Sequence, residues 1–252
     1  MHYPGVLEEV LPDLKAEAGV LAVFLTGSHA RGEADEYSDL DLSVLVASDE
    51  FVRNDVTYRG GVLVSVERST VPHRERAFTE PETTLWNLTS LRSGVPLHDP
   101  EGVFADLQRR ARAFTWAEVE EQAHARAAGL VADVAEELHK VMGGLQTGES
   151  GKVAYAILGL TFALGNAALL STGTLIPTEN RYLTLARDAW DDPVWRTTYG
   201  GMVGLTAEDV PTRGRAALTA YERAVALTRW PDGPDGALAH EAARRARAFL
   251  PG

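Results

Sequence analysis

The stretch "FLTGSHARGEADEYSDLDLSVLV", Phe24 to Val46, decides how this chain is read. It runs apolar, turns through Gly27-Ser28, crosses a polar and acidic loop, then alternates carboxylate with aliphatic as Asp39, Leu40, Asp41, Leu42. Strand residues two apart share a face, about 7 Å apart along the chain. Asp39, Asp41 and Ser43 therefore face one way, while Leu40, Leu42 and Val44 face a core. Unpaired carboxylates on a half-buried strand are costly, so a positive partner is expected beside them. Two hard oxygen ligands at this spacing can share one Mg2+ or bridge a pair. The upstream turn then acquires a purpose: glycine lets backbone N–H groups approach a phosphate, and Ser28 adds a hydroxyl. Arg31 can pair with a phosphate oxygen. Ser38, next to the acids, joins Gly27, Ser28 and Arg31 as a candidate phosphate contact.

Working outward, Val6, Val10, Leu11 and Leu14 recur at helical spacing within residues 5–19. The runs Val20–Thr26, Ser38–Ala47 and Val62–Thr70 read as strands, with Gly60-Gly61 as a turn before the third. "PETTLWNLTSLRSG" reads as a short helix between prolines. From Thr115 the strands stop. Val119, Ala123, Ala127, Leu130, Val131, Val134, Leu138 and Val141 lie on one helical face, with Thr115 as N-cap and "GGLQTGESG", 143–151, as terminator. A neutral helix over 152–171 follows, then helices near 207–229 and 237–249 separated by "PDGPDG". The fold class is α+β: a first domain over 1–114 with a small mixed sheet, then an all-α helical bundle over 115–252.

Bulk composition sets limits. A chain of 252 residues with 45% hydrophobic content supports substantial cores. A formal charge of −12 argues against general nucleic-acid binding and is compatible with cationic ligands. With no cysteine, disulfides, zinc-thiolate sites and thiol catalysis are excluded. The N-terminal stretch shows no secretory h-region, so the expected compartment is the cytoplasm. Val153–Leu170, "VAYAILGLTFALGNAALL", is uncharged, but Gly159, Thr161, Gly165 and Asn166 suit a helix packed among other helices. No membrane association is expected.

The arrangement apolar strand, Gly27-Ser28, ten residues, Asp39-Leu40-Asp41 resembles the nucleotidyltransferase superfamily that includes DNA polymerase β. The form "GSHARGEADEYSDLDL" is most similar to its bacterial small-molecule branch. In layout the chain resembles the kanamycin-type aminoglycoside nucleotidyltransferases. This resemblance implies transfer of a nucleoside monophosphate, AMP from ATP, to a hydroxyl of a small molecule, with two Mg2+ ions held by Asp39, Asp41 and a third carboxylate. Ser65 stands where the family has that acid, and Glu67, two residues on, is assigned as third ligand. The resemblance also implies a base on the first helix of the second domain. Lys140 occupies its position, so Glu136, one turn earlier, is the candidate, with Glu137 bordering it. The bland alternative is an i,i+4 surface pair of Glu136 with Lys140. His29 in the loop and Asn180, Arg181 and Tyr182 after the neutral helix are further candidate contacts. The kanamycin-type family implies a homodimer and a cationic, antibiotic-like acceptor. Two other readings stay open: an antitoxin-type nucleotidyltransferase that modifies a protein, and a nucleotide-binding protein without turnover.

Overall fold

The computed structural model describes residues 3–47, 52–206 and 208–250. The chain forms two compact units, Met1–Glu118 and Val119–Gly252. In the first, α1 (Tyr3–Ala16) leads into β1 (Val20–Leu25), the short α2 (Gly27–Arg31), β2 (Leu40–Val46), β3 (Val52–Arg59) and β4 (Val62–Ser69). Then follow α3 (Val71–Glu75), α4 (Pro81–Ser93), β5 (Val95–His98) and α5 (Val103–Ala113). The sheet order is β3-β4-β2-β1-β5. Only β2 and β4 pair in parallel, so the sheet is mixed.

Alternation along β2 and β4 divides the sheet's two faces. Leu40, Leu42 and Val44 pack with Val64, Val66, Val23, Leu25 and the α1 residues Val6 and Leu14. Asp41, Ser43, Ser65 and Glu67 point to the opposite face by the period of two. That face is closed at one end by Phe24 stacked on Phe104 of α5, ring centroids 3.9 Å apart.

Two strands run where none is expected from the sequence. β3 is a largely exposed edge strand rich in charge, and β5 is an edge strand that contains Pro96. Edge positions tolerate both, because one side of the strand needs no ladder partner.

The second unit comprises α6 (Glu120–Asp133), α7 (Ala135–Thr147), α8 (Ser150–Thr172), α9 (Tyr182–Ala189), α10 (Pro193–Val203), α11 (Val210–Leu227) and α12 (Pro234–Phe249). The helix expected to start at Thr115 is interrupted at Val134, giving α6 and α7. Thr115 opens a 3-10 turn before α6, with its N–H donating to Glu118 Oε1 at 2.9 Å. Gly143 and Gly144 lie inside α7, and Gly148, left-handed at φ 75°, ends it. A Cβ at Gly144 would lie 2.7 Å from Val153 Cγ2, so this glycine lets α7 and α8 approach closely. Residue 207, the expected start of α11, lies outside the described residues. Among the described residues α8 is the one helix long and apolar enough to span a membrane, but 67% of its most apolar window is buried within the protein. It is a core helix of the unit.

Candidate active site

β1 ends at Leu25, and Thr26, extended, precedes α2. The Thr26 N–H donates to the Asp41 backbone carbonyl at 2.9 Å, which ties the turn to β2. Gly27 then adopts φ +66°, a conformation natural only to glycine. A Cβ there would fall inside the Asp41 carboxylate, so the missing side chain is what makes room for that acid beside the turn. Asp39 sits one residue before β2, half-buried like Asp41.

The loop between turn and acids is built by its own side chains. Asp35 Oδ1 accepts from the Tyr37 N–H at 2.9 Å and from the Ser38 hydroxyl at 3.1 Å, while Ser38 Oγ accepts from the Asp35 N–H at 2.9 Å. Ser38 thus fixes the approach of the chain to Asp39. Arg31 donates from Nε to Glu33 Oε2 at 3.0 Å. His29 of α2 is held below the ordinary imidazole pKa by partial burial, against the opposing pull of the Asp39 charge. A cleft of about 260 Å³ opens alongside, lined in part by His29, Ser38, Tyr37, Tyr58 and Leu63. Tyr37 and Tyr58 are both strongly exposed at it.

Across the sheet, Asp41 pairs in register with Ser65, and Ser43 with Glu67. The Ser65 hydroxyl donates to Asn54 Oδ1 at 3.0 Å. Glu67 Oε2 lies 2.9 Å from a guanidinium nitrogen of Arg74, whose side chain is only 2% exposed. Arg74 also donates to Ser69 Oγ at 2.7 Å and Ser43 Oγ at 3.2 Å, and lies 5.8 Å from the Phe24 ring centroid.

Two half-buried acids, Asp39 and Asp41, thus sit beside a glycine-serine turn between apolar strands. Residues 7–85 match the nucleotidyltransferase domain family. Residues 7–85 of the N-terminal unit are a nucleotidyltransferase domain of the polymerase-β type. Among solved structures, the chain is similar to a nucleotidyltransferase-like protein from Exiguobacterium sibiricum 255-15, with 15% identity, a TM-score of 0.50, and coverage of 97% of this chain and 80% of that one. That likeness concerns the fold. No curated protein matches the chain.

Within the nucleotidyltransferase domain, the structure brings Gly27, Ser28, Ser38, Asp39 and Asp41 to one end of β2. It does not assemble the expected trio of carboxylates. Among the described residues no group of three or more His, Cys, Asp or Glu side chains converges as a metal site, and Glu67 is engaged by Arg74. Sequence reasoning missed Arg74: "VPHRERAF" offers two arginines, Arg74 and Arg76, and nothing that marks one as buried. The donor chemistry is that of a site for a hard divalent cation. Asp39 and Asp41 supply two hard oxygens, and the space beside Gly27 is kept open for one of them.

In the helical unit, Glu136 is 80% exposed and pairs with Lys140 Nζ at 3.1 Å. Glu137 is the more enclosed acid: its Oε1 meets the same ammonium at 2.8 Å, and its Oε2 is buried without a hydrogen-bond partner. Gly159 of α8 leaves the room it occupies, since a Cβ there would sit 3.2 Å from Glu137 Cγ. Asn180 and Arg181 belong to a 3-10 turn capped by Thr178. Tyr182 is a core residue whose hydroxyl donates to Asn166 Oδ1 or the Phe162 carbonyl, 3.0 and 3.1 Å away.

Proposed function

We propose that this protein is a Mg2+-dependent nucleotidyltransferase that moves AMP from ATP to a hydroxyl group of a small acceptor. The observation that carries this reading is the Gly27–Asp41 relationship: a left-handed glycine held open at the foot of a strand bearing Asp39 and Asp41, inside a nucleotidyltransferase domain. Gly27 and Ser28 present backbone N–H groups at the start of a helical turn, where such groups lack intrahelical acceptors and suit phosphate oxygens. Arg31 would exchange Glu33 for a phosphate oxygen, and Ser38 holds the approach to Asp39. Asp39 and Asp41 would hold the cation, which when bound offsets the charge on the phosphates as pyrophosphate departs. The acceptor oxygen attacks the α-phosphorus, the bond to pyrophosphate breaks, and the hydroxyl proton passes to a carboxylate. The candidate that the resemblance offers for that carboxylate is Glu136.

The chain's acidity favours cationic acceptors, so aminoglycosides head the list to test, with a homodimer and a cytoplasmic setting as companions of the same reading. The experiment is incubation with α-labelled ATP and a panel of aminoglycosides and other hydroxylated metabolites. Expected is a labelled acceptor and equimolar pyrophosphate; nucleotide binding with no labelled product from any acceptor would defeat the transfer reading. A second reading, nucleotide binding without turnover, is favoured by the engagement of Glu67 with Arg74. Absence of pyrophosphate release under every condition selects it.

A further inference from the structure

We propose that the acidic site takes up one divalent cation with its nucleotide and not two, because residue 65 offers a hydroxyl where a second cation would need a carboxylate. This rests on the nucleotide reading above and concerns how that site is loaded.

β2 and β4 run in parallel with Asp41 abreast of Ser65, so the two side chains share one face at the strand spacing of about 4.8 Å. A pair of cations about 4 Å apart repel one another, and anionic oxygens shared between them are what hold such a pair. Ser65 is neutral, and its hydroxyl is committed to Asn54 at 3.0 Å. The next acid on that face, Glu67, lies one pair further along, beside Ser43. Its carboxylate already has a cation, the Arg74 guanidinium at 2.9 Å. Arg74 is anchored by the hydroxyls of Ser69 and Ser43 and is buried, so drawing Glu67 away would strand a charge inside the protein. Arg74 therefore does for Glu67 what a metal would otherwise do. Asp39 and Asp41 are the two carboxylates at this end of β2, and with phosphate oxygens they would hold a single hard cation.

The test is a count. The full-length protein is equilibrated with Mn2+ and a non-hydrolysable ATP analogue, and bound Mn2+ and bound nucleotide are both measured, with electron paramagnetic resonance reporting any coupled Mn2+ pair. Expected is one Mn2+ per bound nucleotide and no coupled pair. Two Mn2+ per nucleotide would overturn the proposal while leaving the nucleotide reading in place; no nucleotide bound at all would remove that reading and the proposal with it. In Ser65→Asp the count should rise to two, with a coupled signal, and a count that stays at one overturns the role given to position 65. In Glu67→Gln the count should stay at one, and a fall shows Glu67 to be a ligand after all.

Discussion

Asp41 occupies the space that a side chain at Gly27 would fill, and Gly27 is at φ +66°. Both facts oppose substitution. Gly27→Ala incurs about 1–2 kcal/mol for the left-handed backbone and also displaces the carboxylate. The expected outcome is a stability loss of about 2 kcal/mol or more in urea unfolding, together with weaker Mg2+-nucleotide binding by calorimetry. A variant as stable as the parent that binds nucleotide equally well would contradict the geometry.

Asp39 and Asp41 lie two residues apart at one end of β2. Asp39→Asn and Asp41→Asn should each weaken Mg2+-ATP binding at least tenfold, about 1.4 kcal/mol. Stability measured without metal is followed alongside, so that a loss of affinity is separated from unfolding. Titration calorimetry with and without Mg2+, beside urea unfolding of each variant, makes the comparison. Affinity unchanged in both variants would show that neither acid contacts the nucleotide's cation.

The core of the nucleotidyltransferase domain was legible because each of its strands carries strong signals: Val20–Leu25 is a buried run, Leu40–Val46 alternates, and Gly60-Gly61 marks the turn before β4. β3 was not, since Arg53, Asn54, Asp55 and Arg59 give it neither a buried run nor a clear apolar alternation, and its stability comes from the β4 ladder. Pro96 hid β5 in the same way. The break between α6 and α7 is invisible because Val131, Val134, Leu138 and Val141 continue one apolar stripe across it. In the site, residue spacing within one strand revealed Asp39 and Asp41. What lies across the sheet depends on inter-strand register and on Arg74, which folds back from a segment whose composition marks no single arginine for burial.

Glu67 and Arg74 form an ion pair with its positive end buried, at 2% exposure against 36% for Glu67. Glu67→Gln leaves the guanidinium with its serine partners but no counter-charge. Removing one member of a buried pair costs about 3–5 kcal/mol; with Glu67 partly solvated, a loss of about 2 kcal/mol is expected. Glu67→Gln should therefore behave as a stability variant, with a lowered urea midpoint. An unaltered midpoint would show that the pair contributes nothing to the fold.

Gly165 of α8 sits under two tyrosine hydroxyls: a Cβ there would lie 2.5 Å from Tyr199 Oη and 2.6 Å from Tyr182 Oη. The Tyr199 hydroxyl donates to the Thr161 carbonyl at 3.0 Å. Gly165→Ala gains about 1 kcal/mol in helix propensity, but overpacking costs about 1–3 kcal/mol and disturbing two hydroxyl bonds about 1 kcal/mol each. Packing wins, and a net loss of about 2–4 kcal/mol is expected in chemical denaturation. A stabilised Gly165→Ala would mean the tyrosines relax at no cost.

Burial raises the pKa values of Tyr182, Tyr199 and Tyr221 above the ordinary phenol value, desolvation being the leading cause in each. In the unfolded chain these groups ionise near pH 10. Their protonated forms therefore contribute stability that is complete below about pH 10 and is lost as pH rises above it, because the unfolded state then releases protons that the folded state retains. Each tyrosine adds a slope approaching about 1.4 kcal/mol per pH unit, roughly 4 kcal/mol per unit for the three together. Urea unfolding followed at a helical signal between pH 9 and pH 11 should show a flat region and then a steep fall, and Tyr221→Phe should remove about a third of that slope. A midpoint that stays level through pH 11 would place these phenols in contact with water.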